Sequence, residues 1–287
     1  MMPAMKNILY TIAAVLLLTG CFHEFHEKMD GTGSVAVALQ WEQADDAATP
    51  VHSITCSVGG FTKAYTGAEE AASDLLQLPA GEYDILVTAN MTEADGYVLS
   101  GLPATRAGLP EVRVSLRDPA SNPSQAWFGV GHASVKEGEL TLVEIKLQRL
   151  LSTLTVRIAN LPEGTAITQT LSNVAGEVIL TAQDGSGRYG VPGSGTVPDL
   201  TIPGSAVNLL PTASGAQRCI LTLSITSAAG IPLTVVCDAP RTEPGKGYIL
   251  DLDYTTLQPY MYISSSSISP WADGWTVSGE ILNPQNF

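Results

Sequence analysis

The chain has 287 residues, with 28 acidic against 14 basic side chains, a formal net charge of −14 and 45% apolar residues. That length accommodates two ordinary domains, and the apolar content excludes a disordered chain. The acidic balance excludes phosphate-backbone binding, which draws on clustered Lys and Arg, while a charged fraction of 15% beside many Thr, Ser, Gly and Val points to an all-β protein.

Met1 to Lys6 is a short basic start, and Ile8 to Leu18 (ILYTIAAVLLL) is an apolar run. The run is too short to cross a bilayer but suits the core of a signal peptide. It ends in Leu18-Thr19-Gly20-Cys21, which resembles the lipobox of bacterial lipoproteins. The resemblance implies that residues 1–20 are a lipoprotein signal peptide, cleaved before Cys21. It further implies a diacylglyceryl thioether on the Cys21 sulfur and acylation of the new amine. Each buried CH₂ contributes about 0.8 kcal/mol, so a multiply acylated Cys21 is a firm anchor. No later stretch approaches the roughly 20 apolar residues of a membrane helix, so the expectation is attachment to the outer membrane through this lipid rather than a span. Residues 21–33 then form a polar tether. His23 and His26 lie in it without groups to orient them as metal ligands, and they read as spacer. The acids Glu24, Glu27 and Asp30 resemble the surface-export signals of Bacteroidetes lipoproteins, which implies surface display.

Period-two alternation fills the remainder. Val35, Val37, Leu39 and Trp41 alternate with small or polar residues, as expected of a strand with one buried face. The same pattern covers Ile54 to Val58, Tyr83 to Ala89, Val112 to Leu116 and Val143 to Leu147. Leu78-Pro79-Ala80-Gly81 is a turn entering a strand, and Gly67 to Leu78, rich in Ala and Glu, reads as a short helix. The pattern pauses near Leu150 and restarts with Leu154, Val156 and Ile158. Val178 and Leu180, Val207 and Leu209, and Tyr248 to Tyr254 are further strands. Asp184 to Pro203 is Gly- and Pro-rich and reads as a long loop. Trp275, Val277 and Ile281 suggest a last strand. Short strands separated by turns give two β-sandwiches, at residues 34–150 and 151–287. The junction around Gln148 to Ser152 has no Gly- or Pro-rich linker, so the halves should abut closely.

Folding Cys219–Ile225 against Ile231–Cys237 about Ala228-Ala229-Gly230 places Leu223 opposite Leu233 and Cys219 opposite Cys237. Opposed Cβ atoms lie about 4.5–5.5 Å apart, close enough for a disulfide after local adjustment. A bridge and a pair of buried free thiols are both open at this point, and Cys56 has no assignable partner.

Chemistry-bearing motifs are few. There is no GxSxG elbow, HExxH pair, P-loop or CxxC pair, and beyond the tether the only histidines are His52 and His132. Asp30-Gly-Thr-Gly and Asp184-Gly-Ser-Gly lack the oxygen-ligand ladder of calcium loops and read as turns. Asp45-Asp46 and Glu69-Glu70 read as solvated acids. No metal, cofactor or catalytic residue is expected, and the protein reads as a non-enzyme. Trp127, Trp271 and Trp275 could stack on sugars if exposed, though packing in a sandwich core is the simpler reading.

Together, the Leu78-Pro-Ala-Gly-Glu-Tyr-Asp-Ile-Leu-Val87 turn and strand, the Leu147-to-Val156 junction and the Gly247-Tyr-Ile-Leu-Asp-Leu252 strand resemble the fimbrillin-related surface lipoproteins of Bacteroidetes. In character the chain is most similar to the minor-fimbrium anchor branch. The resemblance implies two tandem transthyretin-like, Greek-key β-sandwich domains and fimbrial subunits as partners. It also implies assembly by β-strand complementation, for which Trp275, Val277 and Ile281 are a candidate exchange strand. Stalk subunits of that family are cut by an arginine-specific protease near the amino end; here no Arg precedes Arg106, which disfavours stalk duty. The alternative is a carbohydrate-binding surface lipoprotein of a glycan-uptake system.

Overall fold

Alternation gives β1 (Thr32–Trp41) a buried face carrying Val35 and Val37, and several later strands repeat it. The computed structural model describes residues 31–42, 51–58, 60–102, 111–119, 121–181, 188–189, 206–228, 230, 232–257, 260–261, 265–270 and 275–278. Among these the chain is nearly all β. After β1 come β2 (Ile54–Val58), β3 (Phe61–Tyr65), one helix α1 (Ala68–Ser73), β4 (Leu75–Pro79), β5 (Gly81–Ala89), β6 (Tyr97–Ser100), β7 (Arg113–Leu116), β8 (Trp127–Val135) and β9 (Leu140–Arg149). The second half holds β10 (Ser152–Ala159), β11 (Ala166–Ser172), β12 (Glu177–Ile179), β13 (Arg188–Tyr189), β14 (Ala206–Leu209), β15 (Cys219–Thr226), β16 (Pro232–Ala239) and β17 (Lys246–Asp253). A 3₁₀ turn (Tyr254–Thr256) leads to β18 (Tyr260–Met261), β19 (Ser265–Pro270) and β20 (Trp275–Ser278).

The first half is a seven-stranded sheet in the order β3-β2-β5-β8-β9-β1-β4. Strand β8 pairs with β5 along its whole length but with β9 only at Trp127↔Arg149 and Phe128↔Gln148. The sheet therefore folds over between β8 and β9, and its two wings face each other across a core that includes Val35, Ile54, Val87 and Ile145. Glycine permits the close approach: a Cβ on Gly129 would lie 2.4 Å from the Lys146 carbonyl oxygen, and one on Gly131 would lie 2.6 Å from Ile145 Cγ1. In the second half, β14-β10-β17-β19-β20 faces β11-β15-β16-β18 over Leu154, Val156, Leu171, Leu221, Leu223 and Leu250.

The pairing pattern repeats. The entering strand β1 lies antiparallel to β4 and parallel to β9, just as β10 lies antiparallel to β14 and parallel to β17. Likewise β5 joins β2 and β8, as β15 joins β11 and β16.

The halves share structure as well as a boundary. Strand β12 of the second half pairs with β7 of the first, in the sheet β13-β12-β7-β6. Beneath it a third core joins Leu86, Tyr97 and Phe128 to Val178, Leu180 and Leu210 through the fully buried Leu150 and Leu151. The Leu180 N–H donates to the Val112 carbonyl (2.8 Å), and the Asn208 amide donates to Asn122 Oδ1 (2.8 Å). Arg113 pairs with Glu177 across the same seam.

One element differs from the sequence expectation. The helix read over Gly67–Leu78 stops at Ser73, and Leu75–Pro79 is instead an edge strand on β1. Six residues are too few for a helix to hold itself, whereas Leu76 and Leu78, at period two, gain full burial as a strand.

Replacing Gly129 by Ala should lower stability by about 1–3 kcal/mol, because the facing carbonyl is backbone and cannot rotate away. Gly67→Ala, whose Cβ meets nothing within 4 Å, should cost under about 1 kcal/mol. Urea midpoints of the two variants test the contrast, and equal midpoints would contradict the packing described.

Candidate functional site

The seat of β1 is the first candidate surface. Strand β4 hydrogen-bonds β1 from Thr32 to Ala36, whereas β9 holds it from Ser34 to Trp41. Val35 and Val37 face the core, each contributing about 1.5–3 kcal/mol by burial. Polar bonds flank the ladder: Gln40 Nε2 donates to Glu144 Oε2 (2.9 Å), and Lys146 Nζ lies 3.1 Å from Glu42 Oε1. Helix α1 lies against β1, and Ala71 is its buried residue. The strand is thus the part of the fold nearest in sequence to Cys21. The lipobox residues Leu18, Thr19, Gly20 and Cys21, with His23 and His26, lie outside the described residues. The tether expected over residues 21–33 is cut short by the structure, because Thr32 and Gly33 already pair with Pro79 and Leu78 in β1.

The second candidate surface is the carboxyl-terminal sheet edge. Strand β20 is the outermost strand of the five-stranded sheet and forms an antiparallel pair with β19, with Trp275 opposite Ile268 and Val277 opposite Ser266. Ile281, the third residue expected in that strand, lies outside the described residues, as does Trp271. Trp127 has no free face: it is 3% exposed and meets Trp41 edge-on at 5.6 Å.

The expected cysteine register is corrected. Cys219 opposes Ala239 and Cys237 opposes Leu221, two residues away from the expected pairing. The cause is the connection. The last pair is Thr226↔Pro232, so the loop holds five residues, with Gly230 at φ +75° donating its N–H to Ser227 (2.8 Å). The two cysteines are therefore diagonal neighbours, about 7–8 Å apart and beyond disulfide reach. Cys56, Cys219 and Cys237 are all free and buried. Burial pushes the Cys56 thiol up to about 12, helped by the nearby Asp74 charge, and pushes Cys237 up to about 11. Burial raises Cys219 as well, against a contact with Thr212 Oγ1 at 3.1 Å.

Two polar clusters were not evident in the sequence. On the outer face of β5 and β8, His132 is bracketed by Asp84 Oδ1 (3.0 Å) and Glu82 Oε2 (2.9 Å), and Ser134 donates to Glu82 (2.7 Å). The hydrogen bonds to Asp84 and Glu82 raise the His132 pKa. Antiparallel pairing creates the cluster, setting Asp84 opposite His132 and Glu82 opposite Ser134. Near the β3 edge, Lys63 and Tyr65 both donate to Asp74 Oδ2, at 2.6 and 2.7 Å. His52 meets Asp95 at 2.8 Å, and Glu70 accepts from the Thr66 backbone and hydroxyl. Among the described residues no group of three or more His, Cys, Asp or Glu is arranged to hold a metal ion. These contacts order loops and strand faces.

The chain matches the family model of fimbrillin-A associated anchor proteins Mfa1 and Mfa2 over residues 38–262. No curated protein matches it by sequence. Among solved structures it is similar to a candidate polysaccharide binding protein from Bacteroides thetaiotaomicron. That match has 13% identity and a TM-score of 0.57, covering 89% of this chain and 100% of that one. It is also similar to the fimbrial anchor protein Mfa2 from Porphyromonas gingivalis, with 12% identity, a TM-score of 0.53 and coverage of 86% and 100%. A candidate adhesin from Bacteroides ovatus matches at 10% identity and a TM-score of 0.51, covering 77% and 92%. At these identities the likenesses show a shared fold.

Two outcomes follow from the buried thiols and the histidine cluster. In the folded chain Cys56, Cys219 and Cys237 should resist alkylation at pH 8 and react only on unfolding, as read by mass spectrometry; rapid labelling of the native protein would contradict their burial. Because folding raises the His132 pKa, its contribution is complete below the ordinary value of 6.5 and fades as pH rises through the folded value. His132→Gln should therefore lower the melting temperature at pH 5.5, by on the order of 1–2 °C, and have no effect at pH 8.5. An equal loss at both pH values would overturn the assignment.

Proposed function

The chain belongs to the family of fimbrillin-A associated anchor proteins, and from that membership we propose that it is a non-enzymatic, lipid-anchored outer-membrane protein that anchors or joins a fimbrial assembly at the cell surface. The family match over residues 38–262, spanning both halves, is the observation that carries this reading. On it, the two halves are tandem transthyretin-like sandwiches, divided near residue 150; the repeated pairing of entering, central and leaving strands supports that description. Cys21 carries the lipid, and the residues from there to β1 space the fold from the membrane.

The state of β1 supports an anchor over a stalk subunit. A stalk subunit must lose its leading strand to open a groove for its neighbour. Here β1 is paired on both sides, and no Arg precedes Arg106, which falls between β6 and β7. A cut there would not free β1. The partner strand would instead be received or supplied at a sheet edge, where backbone hydrogen bonds give affinity and alternate side chains give register. Trp275 and Val277 of the β20 edge, with Ile281 three residues beyond it in sequence, are the segment assigned to that exchange. The carbohydrate reading loses one of its three candidate platforms, because Trp127 is buried.

Deleting the gene should release fimbriae from the cell or change their length, as seen by electron microscopy of cells and culture medium. Unchanged attachment and length would sink the anchor reading. Cys21→Ala should shift the folded protein out of the outer-membrane fraction, and retention there would refute lipid attachment at this residue.

A further inference from the structure

In both halves the strand by which the chain enters, β1 or β10, lies beside a later strand, β9 or β17, and the two run parallel. Strand β1 is in register with β9 from Ser34↔Leu140 to Trp41↔Leu147. Strand β10 is in register with β17 from Thr153↔Gly247 to Ala159↔Asp253. Parallel order puts the point of entry and the point of exit at opposite ends of each ladder. Tension between them runs along the strands, so all the hydrogen bonds of the ladder are loaded together and must fail together. In an antiparallel pair both points would lie at one end, and the bonds would open singly, each under the whole load.

The joint between the ladders has little slack. Strand β9 ends at Arg149 and β10 begins at Ser152. The Leu150 and Leu151 between them are fully buried, and their N–H groups donate to the Ala126 carbonyl (2.8 Å) and Gln125 Oε1 (3.2 Å). Core side chains on all four strands resist sliding: Val35 and Val37 with Val143 and Ile145, then Leu154 and Val156 with Tyr248 and Leu250. On the outer face Arg157 Nη1 lies 3.9 Å from Asp251 Oδ1, its register partner.

We propose that the chain is a load-bearing link, in which tension entering ahead of β1 and leaving past β17 is carried as shear by the β1–β9 and β10–β17 ladders in series. The proposal goes beyond the anchoring role and rests on strand order alone, whatever the partner.

Single-molecule pulling on the unlipidated mature chain tests it. The Cys21 thiol serves as one handle and Thr256→Cys, at an exposed position past β17, as the other. For comparison the second handle moves to Glu137→Cys, in the exposed β8–β9 turn. There the Gly138 N–H bonds the Thr32 carbonyl, so pulling peels β1 from its near end. The three buried thiols stay unlabelled under native conditions. At one loading rate the Cys21–Thr256 geometry should unfold at about two-fold higher force or more than the Cys21–Glu137 geometry, since forced rupture reads the barrier along the pulled direction. Refolding between pulls confirms that each variant is native. Equal forces in the two geometries would overturn the proposal and leave the anchoring role standing. Fimbriae that stay attached without the gene would do the reverse.

Discussion

A parallel pair of strands cannot be closed by a tight turn, and this constraint organises the molecule. Strand β1 must wait for β9 before its second edge is filled, so everything from β2 to β8 forms one long crossover between two neighbours. The same holds for β10 and β17. Each half therefore joins its entering strand to its core only when β9 or β17 arrives, and most of its stabilising contacts join residues far apart in sequence. The glycines at 129 and 131 belong to the same constraint, because β9 must pass close over β8 to reach β1.

Among the described residues the histidines and thiols are engaged or buried. The described histidines are engaged with carboxylates: His132 with Asp84 and Glu82, His52 with Asp95. The three thiols beyond Cys21 are buried, with pKa values raised, which removes the thiolate needed for nucleophilic work. Among the described residues the sheet edges are β3 and β4 in the first half, β11, β14, β18 and β20 in the second, and β6 and β13 in the shared sheet.

Local information carried much of the fold. Strands β1, β2, β5, β9, β10 and β17 show clear period two and were legible. Strand β8 was missed because Gly129 and Gly131 occupy core-facing positions, where a reader looks for large apolar residues. Strand β11 was missed because Gln169 takes a core position between Ile167 and Leu171, 1% exposed and with both side-chain amide atoms unpartnered. Strand β3 exposes most of its residues and leaves only a faint pattern. The cysteine register failed by two residues because loop length fixes register, and the polar sequence Ser227-Ala228-Ala229-Gly230 does not reveal where pairing stops. The acid–histidine cluster depends on pairing between residues about fifty apart, which no local reading reaches.

The shared sheet has a consequence for inheritance. Because β12 completes an edge begun by β7, a genetic crossover at residue 150 that joined this first half to an unrelated second half would leave one edge of β7 unpaired and the Leu86, Tyr97 and Phe128 surface open to water. The repeated strand order describes two copies of one plan, but the seam has made them a single unit of exchange. Variation is free to enter at the outer edges, while the two halves must travel together.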